Sequence, residues 1–158
     1  GTALAHFTRA DEISTAYPTP AYNLIKRDVD YQLGNLLWEQ GMCSRAIEVL
    51  SRVGGADDLA MRALDCIGDC FLQRKDAANA GRVYAQMAAI SPRDERCITG
   101  NVSTLDGYGR QANLALAEIY RERGDYDNAL AAAQQAMLNS PPNDTEVRQL
   151  MDLIRMRR

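Results

Sequence analysis

The sequence predicts an all-α protein built of repeated helix pairs. Three observations carry that prediction. Apolar and small residues recur at a spacing of 34 residues. Each copy holds two apolar stripes of helical period with a break between them. The chain of 158 residues is 46% apolar and 25% charged, enough to build a core and unlike a disordered or collagen-like polymer.

The spacing runs residue by residue. Leu33-Gly34 is matched 34 positions later by Ile67-Gly68. Leu37 is matched in this way by Phe71, Ala46 by Ala80, Leu50 by Tyr84 and Val53 by Met87. A third copy is centred on Leu116-Ala117, with Tyr120, Gly124, Ala129, Ala133 and Ala136 at the same offsets. Pro92 and Pro141 end the second and third copies. The helix pairs break at Gly41-Met42-Cys43-Ser44, Lys75-Asp76 and Gly124-Asp125, with Ser44, Asp76 and Asp125 as expected N-caps of the second helices. Gly34, Gly68, Ala117, Ala46, Ala80 and Ala129 let the paired helices approach, and Leu37, Phe71 and Tyr120 fill the space beside them. Each pair leaves an apolar face for a neighbouring pair to cover.

The flanks are read in the same way. Thr19-Pro20 is a helix start, so the first repeat helix is expected from Pro20, with another helix over residues 3–16. Between copies two and three lies an inserted loop, 95–109, with a helix beginning between Leu105 and Arg110. Asn143 followed by Glu146 favours a last helix over 144–158, with apolar Val147, Leu150, Met151 and Ile154 and a cationic end.

The period, the Leu-Gly step, the later Ala and the terminal Pro resemble the tetratricopeptide repeat (TPR) family over residues 27–94 and 110–143. The resemblance implies a right-handed solenoid of three helix-turn-helix repeats. These are 27–60, 61–94 and 110–143, after an N-terminal extension 1–26 and before a capping helix 144–158. The sequence departs from the family pattern at Asp30, where an aromatic is expected, and at Asp58, where the closing Pro is expected. Ala133 stands where a large residue is usual.

Composition narrows the function. A net charge of −3 argues against nucleic-acid binding, and no run approaches the ~20 apolar residues of a membrane span. No phosphate-binding loop, dinucleotide fingerprint, zinc-protease motif or paired CxxC occurs. His6 is the single histidine, so metal sites and histidine-based triads have little material. Cys43, Cys66, Cys70 and Cys97 read as free thiols of a reducing compartment. Asn101-Val102-Ser103 and Asn143-Asp144-Thr145 match the glycosylation sequon, which an intracellular chain does not use. The expectation is a non-enzymatic protein without cofactor or metal, in the cytoplasm. The start at Gly1 rather than Met leaves room for a removed targeting segment.

Binding is the more informative direction. The TPR resemblance implies that the first helix of each pair lines a concave groove. By that geometry the groove residues are Asp28, Tyr31, Asn35, Trp38 and Glu39 in copy one. In copy two they are Arg62, Asp65, Asp69, Leu72 and Gln73, and in copy three Gln111, Leu114, Glu118, Arg121 and Glu122. Six carboxylates against two arginines make the expected partner a cationic protein or peptide, with Trp38 and Tyr31 as aromatic anchors or, for Trp38, as packing between repeats. The carboxylate clamp of chaperone-binding TPR domains is matched only by Asn35. Tyr31, Cys66, Gln111 and Ala115 stand at its other positions, which argues against that clamp.

A narrower resemblance covers Cys66-Ile67-Gly68 through Phe71-Leu72-Gln73 and the Leu105-Asp106-Gly107 step. These look like the repeat region of subunit 12 of the trafficking protein particle (TRAPP) complex. Two functions stay open: an adaptor that holds a basic peptide or helix in an acidic groove, and a constitutive structural subunit of a large assembly, contacted through its outer faces and array ends.

Overall fold

The computed structural model describes residues 2–16, 20–90, 102–141 and 144–157, and among them every regular element is an α-helix. The helices are α1 (Thr2–Ala16), α2 (Pro20–Glu39), α3 (Cys43–Leu50), α4 (Asp58–Gln73), α5 (Ala77–Ala89), α6 (Val102–Glu122), α7 (Tyr126–Leu138) and α8 (Thr145–Arg157). Backbone proximity divides the chain into two units, 1–76 and 77–158. In the first, α2 packs against α1, α3 and α4. In the second, α6 packs against α5 and α7, and α7 against α8. The division falls inside the expected repeat 61–94 and leaves its two helices in different units.

One backbone device ends the first helix of all three pairs. Gly41, Lys75 and Gly124 hold the same repeat position and all have positive φ, at 72°, 58° and 76°. The next amide donates back over five residues: Met42 to Leu37, Asp76 to Phe71, Asp125 to Tyr120, at 2.8–2.9 Å. This is the Schellman turn that satisfies a helix's last carbonyls. The following helix then starts at once, at Cys43, Ala77 or Tyr126.

Asp125 caps α7 through its carboxylate, which accepts from the Asn128 amide. Ser44 is not a cap. The turn places Met42 at the N-cap without a side-chain bond, and Cys43 already belongs to α3. Burial explains the earlier start, because the Cys43 thiol donates to Gln73 Oε1 on α4 at 3.4 Å.

The core follows the repeat register. Leu37, Ala46, Ala80, Met87, Ala117, Ala129, Ala133 and Ala136 are fully buried. Gly34 is required by close approach: a Cβ there would fall 2.6 Å from Leu50 Cδ2. In the second unit the matching positions are Ala117 and Ala133, both without exposure, so a small residue replaces the large one. Ala132, which the register puts on another face of its helix, is buried as well.

The departures from the repeat pattern have physical partners. Asp30 is 1% exposed and sits in a charge cluster. Lys26 Nζ donates to Asp30 at 3.1 Å and to Asp11 of α1 at 2.7 Å, and Arg52 donates to Asp11 at 2.9 Å. Burial pushes the Asp30 carboxyl up. Burial acts the same way on Asp11, but the bonds from Lys26 and Asp30 and the charges of Lys26 and Arg52 hold it below its ordinary value. An ionic socket for α1 thus replaces an aromatic contact.

Helix α6 corrects the loop expectation, since it begins at Val102 and residues 102–109 are helical. Gly107 and Gly109 read as loop residues from sequence. Gly109 is instead a buried contact point, where an added Cβ would lie 3.2 Å from the Asn139 side chain. The rest of the expected loop, with Pro92 and Cys97, lies outside the described residues, as does Asn143. Asp144 caps α8, accepting from the amides of Glu146 and Val147.

Candidate partner-binding surface

The thirteen groove residues with polar or aromatic side chains fall nine in the first unit and four in the second. On α2, Asp28 and Glu39 are exposed, and Tyr31, Asn35 and Trp38 are half-buried. On α4, Arg62 and Gln73 are exposed, and Asp65 and Asp69 are half-buried. Leu72 beside them is an exposed apolar residue.

Two hydrogen-bond chains tie α2 to α4 and end on carboxylates. Trp38 Nε1 donates to Asp69 Oδ2 at 2.7 Å, and Gln73 Nε2 donates to the same oxygen at 2.7 Å. Gln73 in turn accepts from the Cys43 thiol. In the second chain the Cys66 thiol lies 3.8 Å from Asn35 Oδ1, and Asn35 Nδ2 donates to Glu39 at 3.0 Å. These donors are neutral, so they orient Asp69 and Glu39 without cancelling their charge.

The field of these groups is felt at Cys66. Burial first, then the charges of Asp65 and Asp69 with a contribution from Glu39, push its thiol up to about 11. Cys70, buried and hydrogen-bonded with Cys43, is pushed to about 12. Such thiols stay protonated and are poor nucleophiles. Cys43, Cys66 and Cys70 are unbridged, and among the described residues no three His, Cys, Asp or Glu side chains converge as a metal site.

Arg62 pairs with Asp58 at 2.9 Å along its own helix. That pairing answers for part of its charge, and Asp58 was not among the expected site residues.

In the second unit Gln111 and Glu122 are exposed, while Glu118 and Arg121 are half-buried and paired with each other, Arg121 Nε donating at 2.7 Å. Gln111, Leu114 and Glu118 line an open cleft of about 610 Å³ between α6 and α8. Gln149, Leu150 and Leu153 form its other wall. Sequence reasoning missed that wall by treating α8 as a cap only. The signal was present, since Val147, Leu150 and Ile154 continue the repeat spacing of Asn113, Leu116 and Tyr120.

Two tetratricopeptide repeat family models match the chain, one over residues 31–95 and one over 113–147. The chain is a tetratricopeptide repeat protein. TPR proteins are scaffolds for protein partners, and this one is a protein–protein interaction module. No curated protein matches the chain, so the narrower likeness to the TRAPP subunit gains no support. Among the described residues no helix of this TPR protein is long and apolar enough to cross a membrane.

Proposed function

We propose that the α2–α4 face of the first unit is the working surface of a non-catalytic adaptor and receives a cationic helix or extended peptide from a partner protein. Trp38 and Tyr31 serve as its aromatic anchors. The observation that carries this reading is the pair of carboxylates, Asp69 and Glu39, fixed by neutral donors beside a half-buried Trp38. With Asp28 and Asp65, four of the nine candidate residues in this unit are carboxylates and one, Arg62, is cationic. Like charges gathered on one face attract a cationic partner and speed its encounter. Gln111, Glu118, Arg121 and Glu122 form a second, less charged surface.

The test uses a labelled amphipathic peptide with a leucine stripe and lysine flanks. Fluorescence anisotropy should show saturable binding that weakens as salt rises. Asp65→Lys with Asp69→Lys should weaken it by ~1–3 kcal/mol, in line with charged contacts at other interfaces. Salt-independent binding that survives the double change would sink the proposal. The alternative reading, a constitutive subunit of a larger assembly, draws on the exposed Leu138 and Met156 of α7 and α8, at 77% and 76%.

A further inference from the structure

The residue after the buried alanine of each second helix differs among the three copies. It is Ile47 after Ala46 and Leu130 after Ala129, both half-buried, but Gly81 after Ala80. Glycine inside a helix weakens it relative to alanine. Neither the backbone nor the packing calls for glycine here. Gly81 is not at positive φ, and among the described residues an added Cβ would meet only Ile119 Cγ2, at an ordinary 3.8 Å. What the glycine leaves is an open pocket of about 360 Å³ between α5 and α6, lined on its α6 side by Leu116, Ile119 and Tyr120. Leu116 and Ile119 are buried, so this wall is apolar. Arg82 of α5 and Arg123, just past α6, line the same pocket. Both are exposed, and neither side chain has a hydrogen-bond or ion-pair partner among the described residues. Helix α5 carries no acidic residue.

We propose that the α5–α6 pocket receives a single leucine or isoleucine side chain from a partner protein, carried on a segment with acidic residues to either side of it. The aliphatic anchor follows from shape. It supplies the volume that copy two lacks beside Ile47 and Leu130 of its sister copies, and it lies against the buried Leu116 and Ile119. The pocket is at the small end for binding sites, which suits one anchoring side chain rather than a whole helix. The acidic flanks follow from charge. Arg82 and Arg123 are unanswered within this unit and present forked donors that match carboxylates. The sign is opposite to that of the α2–α4 face.

The test uses the whole chain and three short labelled peptides, read by fluorescence anisotropy. One carries a single leucine between glutamates. The second has alanine in place of that leucine, and the third has the leucine between lysines. The first should show saturable binding, and the other two should bind about tenfold or more weakly, as when an interface loses an anchor or its charge complement. Gly81→Leu puts the side chain of a sister copy into the pocket and should abolish binding without lowering the thermal midpoint. Arg82→Glu with Arg123→Glu should turn the preference to the lysine-flanked peptide. Both arginines are exposed, so this second variant keeps its fold and decides the matter even where Gly81→Leu does not fold. Asp65→Lys with Asp69→Lys should leave this binding unchanged, which separates the two surfaces. Absence of saturable binding, binding retained by a folded Gly81→Leu chain, or binding indifferent to the arginine reversal overturns the proposal. So does a concentration-dependent dimer abolished by Gly81→Leu, which would show that a second copy fills the pocket.

Discussion

Arg27 and Arg110 open the first and third repeats at the same register position, and each reaches the residue that caps the helix after its pair. Arg27 forks onto Asp57, at 2.8 and 3.0 Å, and Asp57 caps α4 by accepting from the Ala60 amide. Arg110 forks onto Asp144, the cap of α8, and adds Glu146. The difference lies in the loop that each spans. Arg27 also donates to the backbone carbonyls of Val53 and Gly54, at 2.8 and 2.9 Å. That loop holds Gly54 and Gly55 at positive φ and lacks the closing proline, since Asp58 stands in its place. The Arg110 loop carries Pro141, whose ring fixes φ unaided. Both loops are clamped by an arginine, but Arg27 holds the backbone of the glycine loop as well as its cap, whereas Arg110 is bonded to the carboxylates of Asp144 and Glu146.

The largest expected effect breaks the packing side of this comparison. Gly34→Leu forces a side chain into the space of Leu50 and should cost ~2–3 kcal/mol or more by overpacking. Gly81→Ala is the control, because its Cβ would meet Ile119 at an ordinary 3.8 Å. It should stabilise by ~0.5–1 kcal/mol, the usual gain for replacing a helical glycine. Equal losses in the two urea midpoints would show that the repeat register does not govern helix approach.

The clamps come next. Arg27→Ala should cost about 1–2 kcal/mol, the low end for charge-assisted bonds because Asp57 is 42% exposed. Arg27→Lys should recover little, since an ammonium cannot fork onto the carboxylate while holding two carbonyls. Arg110→Ala should cost more, because Asp144 is 7% exposed and would lose the guanidinium that answers its charge.

The same pairs set the acid response. The Arg27 bond holds Asp57, and the Arg110 bond holds Asp144, below the ordinary value of 3.8. Their contribution is full above that value and is lost as pH falls through the lowered folded values. Asp30 runs the other way: its raised folded value means its contribution is present in acid and lost as pH rises. Arg27→Ala should therefore flatten the acid-side loss of stability, read as urea midpoints between pH 5 and pH 2. An unchanged slope would remove the Asp57 clamp from the account.

The smallest effect concerns the three turns. Lys75 holds at φ 58° the position that glycine holds in the other two copies. Lys75→Gly should stabilise by ~0.5–1 kcal/mol, because left-handed backbone costs an L side chain more than it costs glycine. A loss in thermal midpoint would mean that the Lys75 side chain offsets that strain.

Much of this was legible because it is local. The 34-residue spacing, the breaks at Gly41, Lys75 and Gly124, and the Asp125 cap all depend on neighbours within a turn or two. For the candidate site the sequence supplied a choice of helix face. The wiring between helices was not legible, because Trp38 meets Asp69 and Cys66 meets Asn35 across 31 positions. Ala132 shows the limit of periodicity: its phase on α7 was clear, yet its burial depends on what packs over it.

The sequence by itself determined the all-α class, the register of the repeats and the small residues that let helices pair, since each is set by a side-chain volume or a φ preference at one position. Tertiary structure alone decided which charges were answered from another helix or loop. A carboxylate's surroundings depend on the group that folding brings beside it. The Asp30–Lys26 pair within α2 was brought against the Asp11 carboxylate of α1, which shares that lysine. Asp57 was given Arg27. Asp69 was given the neutral donors Trp38 and Gln73.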